Sequence, residues 1–237
     1  MRMIGLIGGM SFESSAVYYR LVNEAVRARL GGLSSAEVIL HSVNFEEIVA
    51  LQKAGKWDAA ADRLARAAEG LERAGADCVL ICTNTMHLVA EPVASRISVP
   101  LINIIDETAG VLAKRGAKRP LLLATRYTME TLIIYKRMRR HGIEVMVPDA
   151  DGRTATHDII FSELCAGDVR PQSRETLIAI VEKAKTEGAD SVILGCTEIC
   201  LILDPENLPL PGFDSTTIHA DAAVAFALAG LSSTLAA

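Results

Sequence analysis

The sequence predicts an α/β protein built as two similar lobes, each a mostly parallel sheet flanked by helices. Short apolar runs of strand length alternate with stretches of helical periodicity, which is typical of βαβ units. A sequence motif also recurs at nearly half the chain length, which indicates that one lobe repeats the other. Hydrophobic residues make up 50% of the 237 residues and charged residues 22%, which excludes an intrinsically disordered chain.

The first half of the chain carries three strand signals and two helix signals. The predicted strands are residues 3–7, 38–43 and 78–81, and the predicted helices are 11–26 and 57–73. Ser11 is a suitable N-cap for the first helix. The second helix is indicated by apolar residues that recur every three or four positions from Ala60 to Leu71, which places them on one face.

The second half continues the alternation. The predicted strands are 121–124, 144–147 and 191–194, and the predicted helices are 128–141, 173–185 and 220–229. The strand signals are short apolar runs, and the helix signals are longer stretches with apolar residues at helical spacing. The last of these helices needs a lobe on which to pack, so the chain is expected to return to lobe one at its end.

The internal repeat consists of two echoes in the same order. Gly-Ala-Asp precedes a strand at 75–77 and again at 188–190, an offset of 113 residues. Ser-Phe-Glu-Ser at 11–14 resembles Thr-Met-Glu-Thr at 128–131, an offset of 117 residues. Two echoes with nearly equal offsets favour two lobes of similar structure.

The repeat and the last helix predict the lobe boundaries and the place of the functional site. Lobe one is predicted to comprise 1–103 plus 209–237, and lobe two 104–208. Ligands of open α/β sheets bind at the carboxyl ends of the strands, so we expect the site in the cleft between the lobes. Helices that begin there point N–H groups toward the ligand, which favours an anion such as a carboxylate.

Composition restricts the partners and the compartment. The chain has 24 basic and 29 acidic residues, and aromatic residues make up only 4% of it. This acidic balance and the scarcity of aromatic residues argue against nucleic-acid binding. No apolar run reaches the roughly 18 residues of a membrane helix, so no membrane partner is expected. Five cysteines, an odd number, do not form a disulfide framework. A cytoplasmic protein with reduced thiols is expected.

One cysteine lies where chemistry is expected. Cys196 follows a predicted strand in the segment Leu-Gly-Cys-Thr-Glu. A thiol near a helix N-terminus is expected to have a lowered pKa and to act as a proton acceptor or a nucleophile, the alternative being a small buried hydrophobic residue. The spacing of Cys78 from Cys82, like that of Cys196 from Cys200, does not predict zinc, because these cysteines fall in apolar runs rather than turns. No metal is expected.

The chain resembles the aspartate/glutamate racemase family in four segments that occur in the family's order. They are Ile-Gly-Leu-Ile-Gly-Gly-Met-Ser at 4–11, Cys-Thr-Asn-Thr-Met-His at 82–87, Thr-Arg-Tyr-Thr-Met at 125–129 and Gly-Cys-Thr-Glu at 195–198. The resemblance implies a homodimer that uses no cofactor and racemises an amino acid, aspartate and/or glutamate. It also implies two acid/base residues, one from each lobe, that face the substrate Cα from opposite sides.

The resemblance makes Thr83 and Cys196 the catalytic pair, with one departure. The common family pattern has cysteine at the position of Thr83, whereas Cys82 stands one residue earlier and points to the other face of the chain. The sequence is similar to a subset of the family with threonine there. A hydroxyl is a poorer base than a thiol at neutral pH, so unequal exchange of the two enantiomers is expected, the L-enantiomer being faster.

Further positions resemble substrate-binding residues of the family. They are Met10, Ser11, Gln52, Asn84, Thr85, Thr128, Thr197 and Glu198. Glu198 is also suited to hold the substrate ammonium group. Three have structural alternatives, because Ser11 and Thr128 are suited to cap helices and Met10 to pack in a core.

Two other functions remain open from the sequence. Relatives with a single active thiol in the second lobe decarboxylate malonate-type acids, and the absence of cysteine at Thr83 fits that reaction. A non-catalytic amino-acid-binding protein is the other alternative. The polar residues that follow Thr83 and Cys196 favour an amino acid as the ligand.

Overall fold

Seven strands within residues 1–231 form two separate sheets, and each neighbouring pair of strands is parallel. The structure is a computed structural model that describes residues 1–231. Helices flank the strands, so the predicted α/β architecture with parallel sheets is confirmed. Within the described range, no helix is both long and apolar enough to cross a membrane.

The first unit comprises Met1–Asn103 and, of the described residues after them, 219–231. Its strands are β1 (Ile4–Gly8), β2 (Val38–Ser42), β3 (Cys78–Ile81) and β4 (Leu101–Ile102), in the order β2-β1-β3-β4. Its helices are α1 (Phe12–Leu30), α2 (Phe45–Lys53), α3 (Trp57–Arg73) and α4 (Ala90–Ala94), with a 3₁₀ helix at Thr85–Val89. The predicted helices 11–26 and 57–73 are confirmed as α1 and α3.

The second unit comprises Ile104–Ile218. Its strands are β5 (Pro120–Leu123), β6 (Ser191–Leu194) and β7 (Gly212–Asp214), in the order β5-β6-β7. Its helices are α5 (Ile104–Lys114), α6 (Arg126–Met129), α7 (Leu132–Arg140), α8 (Ala150–Asp158) and α9 (Pro171–Thr186), and α10 (Ser215–Leu228) follows β7. Shorter turns are a π-helix at Ile159–Glu163 and 3₁₀ helices at Leu164–Ala166, Glu198–Leu201 and Pro205–Asn207.

The boundary between the two units lies inside α10, because Ile218 ends the second unit and His219 belongs to the first. The division predicted from the sequence differs at 209–218, which it assigned to lobe one. The strand β7 explains the difference, since it pairs with β6 and thereby holds this segment in the second unit.

The strands of the first unit divide their side chains between two cores, which explains their apolar sequences. In β3, Val79 and Ile81 pack with the buried face of α3, whereas Cys78 and Leu80 pack with α1 and α10. Alternate strand residues point to opposite faces, so a sheet covered on both sides needs apolar residues at every position. The sheet of the second unit is likewise covered on two faces.

The repeated Gly-Ala-Asp segments have a shared structural role. The Asp77 carboxylate accepts a hydrogen bond from the Met3 amide at 2.6 Å, next to β1. The Asp190 carboxylate accepts from the amides of Lys118 and Arg119 at 2.6 and 2.9 Å, next to β5. Each aspartate therefore ties the start of its own strand to the residues that precede the neighbouring strand.

Two predicted elements of the second unit are wrong. The helix predicted at 128–141 is two helices, because Thr131 leaves the helical conformation and caps α7 by accepting from the Ile133 amide at 3.4 Å. The strand predicted at 144–147 is reduced to one isolated bridge between Leu121 and Met146. Pro148 follows it and has no N–H group with which to extend the pairing.

A buried histidine belongs to the core of the first unit. His219 Nε2 lies 2.8 Å from the Ile102 carbonyl, and its Nδ1 lies 2.8 Å from the Tyr18 hydroxyl. Since a carbonyl only accepts, Nε2 carries the proton and Nδ1 accepts from Tyr18. Burial lowers the pKa of His219 to about 4.

This histidine is expected to make the protein sensitive to acid. Unfolding restores the His219 pKa to about 6.5, so between pH 6.5 and about 4 the unfolded chain binds a proton that the folded chain does not. The free energy of unfolding should therefore fall as the pH falls through this window, by at most about 1.4 kcal/mol per pH unit from this group. Urea denaturation at several pH values measures the slope. His219→Asn should remove this part of the slope, and an unchanged slope would contradict the assignment.

Candidate active site

The candidate residues of the first unit lie at the carboxyl edge of its sheet. Met10 and Ser11 follow β1, and Thr83 and Asn84 follow β3, which is the neighbour of β1. The Ser14 hydroxyl donates to the Cys82 carbonyl at 3.0 Å and so links the start of α1 to the end of β3. The loops after β1 and β3 are therefore held side by side.

Thr83 and Cys82 have different environments although they are adjacent. Cys82 is fully buried in the core formed with α1 and α10, and burial raises the pKa of its thiol. Thr83 is half-buried. Of these two adjacent residues, only the threonine is partly exposed at this strand end.

The remaining candidates of the first unit lie on elements around Thr83. Thr85 is buried at the start of the 3₁₀ helix that follows Asn84. Gln52, on α2, places its side-chain nitrogen 3.1 Å from the sulfur of Met86 in that 3₁₀ helix. The structure therefore brings Gln52 to the segment that carries Thr85.

Met10 and Ser11 have the structural roles that the sequence offered as alternatives. Met10 is buried in the core beside α3. The Ser11 hydroxyl accepts from the Ser14 amide at 3.2 Å and caps α1. The Gly9 amide donates to the Ser15 hydroxyl at 2.7 Å, so this amide is occupied within the loop rather than directed toward an anion.

In the second unit, Cys196 stands two positions after the last residue of β6, and its loop lies against the end of β5. Gly195 permits this approach, because a Cβ atom there would lie 3.1 Å from the Ala124 Cβ and 3.3 Å from the Leu123 carbonyl oxygen. Its amide donates to that same carbonyl at 2.8 Å. A side chain at position 195 would therefore require its neighbours at the end of β5 to shift.

The Cys196 thiol is part of a three-residue hydrogen-bonded group. Its sulfur donates to Glu198 Oε2 at 2.8 Å, and the Thr197 hydroxyl donates to the same oxygen at 2.8 Å. The Glu198 side chain is buried. All three predicted residues of this segment are thus brought together around one carboxylate oxygen.

The expected lowering of the Cys196 pKa is wrong. Although the residue is partly exposed, its sulfur packs against the core of the second unit. This burial, and then the charge and hydrogen bond of Glu198, raise the pKa of the Cys196 thiol well above its usual value. The following 3₁₀ helix is only four residues long and begins with Glu198, so a carboxylate occupies the helix start that was expected to stabilise a thiolate.

Thr128 does not cap a helix. It lies inside α6, fully buried, with its hydroxyl 3.2 Å from that of Thr125. Its segment, 125–128, follows β5, the neighbour of β6. Thr128 therefore lies at the same sheet edge as Cys196.

The comparisons with known proteins agree on one family. The family model for Asp/Glu/Hydantoin racemase matches residues 7–223. The chain belongs to this family. A solved structure of a candidate Asp/Glu racemase from Yersinia pestis is 45% identical with a TM-score of 0.91, and the match covers 96% of this chain and 100% of that one.

Two further racemase relatives support the assignment. An aspartate racemase homologue from Pyrococcus horikoshii OT3 is 35% identical with a TM-score of 0.85, and the match covers 96% of this chain and 99% of that one. The broad-specificity amino-acid racemase RacX of Bacillus subtilis (strain 168) is 27% identical over 162 residues, 67% of this chain and 68% of that protein. The resemblance to the aspartate/glutamate racemase family is thus confirmed.

Two buried histidines lie near Thr83, and the sequence did not assign them to the site. His87 Nδ1 lies 2.8 Å from the Thr83 carbonyl, and the His87 ring contacts His219 edge-to-face with centroids 5.5 Å apart. His219 was missed, because the sequence carries no signal that connects this residue of α10 with Thr83. Within residues 1–231, no three or more His, Cys, Asp or Glu side chains are grouped to hold a metal ion.

Proposed function

We propose that the protein racemises an amino acid, aspartate and/or glutamate, without a cofactor, using Cys196 and Thr83 as acid/base residues on opposite faces of the substrate Cα. This makes it a member of the racemase subset with threonine in place of the first cysteine. The observation that carries the proposal is the hydrogen bond from Cys196 to Glu198 Oε2 at the carboxyl end of β6. It pairs a thiol with a base within direct proton-transfer distance.

The Cys196 step begins from a neutral thiol. Because the pKa of this thiol is raised, a base must take its proton before the sulfur can act. Glu198 Oε2 accepts that proton, and the resulting thiolate removes the α-proton of the substrate. The electron pair of the broken C–H bond passes into the substrate carboxylate, which becomes a planar dianion.

The Thr83 step returns a proton on the other face. The Thr83 hydroxyl protonates the Cα, directly or through a water molecule, and recovers its proton from solvent. In the opposite direction Thr83 must first lose its hydroxyl proton to solvent and then remove the α-proton as the alkoxide, which is scarce at neutral pH. The two directions therefore differ in kcat and in KM, while kcat/KM is equal because the free enantiomers have equal energy.

The polar groups beside these two residues are proposed to hold the substrate. Asn84, Thr85 and Thr197 supply amide and hydroxyl groups next to the acid/base pair. Hydrogen-bond donors that face the substrate carboxylate stabilise the extra charge of the planar intermediate. Met10, Ser11 and Thr128 lie in segments that follow strands at these two sheet edges, Gln52 lies on α2, and these four complete the proposed set.

The test is α-proton exchange in deuterium oxide, followed by NMR over a panel of L- and D-amino acids, with EDTA and hydroxylamine present to inactivate metal and pyridoxal contaminants. Exchange with inversion of aspartate or glutamate supports the proposal. Tight binding without exchange would instead show a binding protein, and carbon dioxide release from malonates would show a decarboxylase. A homodimer in the cytoplasm is also proposed, supported by the family resemblance and by five free thiols. Light scattering tests the dimer.

Restoring the cysteine in the first unit is expected to reduce the asymmetry between enantiomers. Thr83→Cys replaces a hydroxyl by a thiol whose pKa is several units closer to neutrality, so exchange of the slow enantiomer should rise more than exchange of the fast one. The measurement is the initial rate of α-proton loss from each pure enantiomer, with L expected to be the faster in the unmodified protein. Equal rates in the unmodified protein, or no gain in the variant, would count against Thr83 as the second acid/base residue.

A further inference from the structure

We propose that His87, held by Tyr18 and His219, is a positioning residue for Thr83. The inference rests on the proposed function, because it assigns to these buried side chains the task of fixing the loop that carries the second acid/base residue. None of the three is part of the proposed proton transfers.

The contact between His87 and Thr83 fixes a proton position. His87 Nδ1 lies 2.8 Å from the Thr83 carbonyl oxygen, and a carbonyl only accepts. Nδ1 of His87 therefore carries a proton and donates it to the main chain of Thr83. The His87 amide also donates to the Asn84 carbonyl at 3.0 Å, so ring and backbone together close the turn that presents Thr83.

The His87 ring is oriented from the other side by His219. The two rings meet edge-to-face at 5.5 Å with planes at 72°, and both side chains are buried. His219 itself cannot rotate freely, since it donates to the Ile102 carbonyl and accepts from the Tyr18 hydroxyl, both at 2.8 Å. Tyr18 and His219 are also in edge-to-face contact, with centroids 5.6 Å apart.

These contacts connect Thr83 to three elements of the first unit. Tyr18 lies on α1, His219 on α10, and Ile102 at the end of β4. These contacts therefore fix the position of the Thr83 loop relative to the neighbouring strand β4 and to the helices α1 and α10. A shift of about one ångström at a reacting group lowers the rate about a hundredfold. Contacts that hold Thr83 in place therefore help to maintain the reaction rate.

A pair of variants at His87 separates positioning from packing. Asparagine places a side-chain N–H close to the position of Nδ1, whereas leucine fills the site without a donor. We expect His87→Leu to lower α-proton exchange of the enantiomer deprotonated by Thr83 by about tenfold or more, while exchange without inversion of the enantiomer deprotonated by Cys196 changes less than about twofold. His87→Asn should recover most of the lost rate, and Tyr18→Phe should give a smaller loss of the same kind.

If His87 has a purely structural role, His87→Leu reduces only the fraction of folded protein and lowers both exchange rates by the same factor. Equal losses would therefore overturn the proposal. If His87→Leu does not fold, NMR of the ring nitrogens in the unmodified protein decides, since a His87 Nδ1 without a proton at neutral pH would also overturn it. The proposed function is tested separately with Thr83→Ala. If that variant leaves both exchange rates unchanged, Thr83 is not an acid/base residue; if it removes one of them while His87→Leu lowers both equally, only the positioning role fails.

Discussion

Cys196→Ser is expected to abolish racemisation in both directions, with kcat reduced by about a thousandfold or more. Inversion needs an acid/base group on each face, and serine replaces a thiol by a hydroxyl whose pKa is several units higher. Exchange of the fast enantiomer, which depends on the same sulfur, should be lost as well. The measurement is racemisation by polarimetry, together with α-proton loss from each enantiomer in deuterium oxide.

The matched control is Cys82→Ala. Cys82 is a second free thiol, but it is fully buried in the core of the first unit. Its removal should cost about 1 kcal/mol of stability and leave the turnover of the folded protein unchanged. Equal large losses of turnover in both variants, with folding intact, would mean that Cys82 rather than Thr83 faces the substrate.

Glu198→Gln is expected to have opposite effects on the thiol and on catalysis. Burial first and then the Glu198 charge raise the pKa of the Cys196 thiol, so removal of the charge should move the alkylation of Cys196 by iodoacetamide to lower pH. Turnover should nevertheless fall by about a hundredfold, because no base remains to accept the thiol proton. Alkylation rate against pH and kcat against pH give the two readouts on the same samples.

The result also separates the two roles available to Glu198. If the carboxylate serves only to bind the substrate ammonium, KM rises while kcat is retained. A shift of the alkylation profile to higher pH would show that the carboxylate does not destabilise the thiolate. Glu206→Gln, at an exposed site of the same unit, serves as the control for loss of one negative charge.

Local signals in the sequence predicted β1, β2, β3, β5 and β6 and the helices α1, α3, α9 and α10, but not the shorter elements α2, α4, α5, α8, β4 and β7. The helix at 57–73 was predicted with its observed bounds because its apolar stripe from Ala60 to Leu71 is continuous and buried. The segment at 144–147 has the apolar character of a strand but forms only one bridge, at Met146. Whether an apolar segment extends a sheet depends on pairing partners distant in sequence, which periodicity does not report.

Some features of the candidate site could likewise be predicted from local sequence, whereas others depend on contacts between distant residues. The position of Cys196 after a strand was visible in the sequence, and so was the burial of Cys82, which follows from the alternation of strand residues. The raised pKa of Cys196 was not visible, because it arises from the packing of the sulfur and from the way Glu198 turns back toward it. His219 could not be connected with Thr83 without the structure, since the two residues lie 136 positions apart in the chain.

The position of the unit boundary inside α10 has a consequence for synthesis of the chain on the ribosome. The core of the first unit includes Ala220, Val224 and Ala227, which are among the last of the described residues to be made. The second unit, Ile104–Ile218, is a continuous segment and is complete in sequence earlier. We therefore expect the usual order, in which an N-terminal domain matures first, to be reversed, because Tyr18 and Ile102 can make their contacts only after His219 has been synthesised.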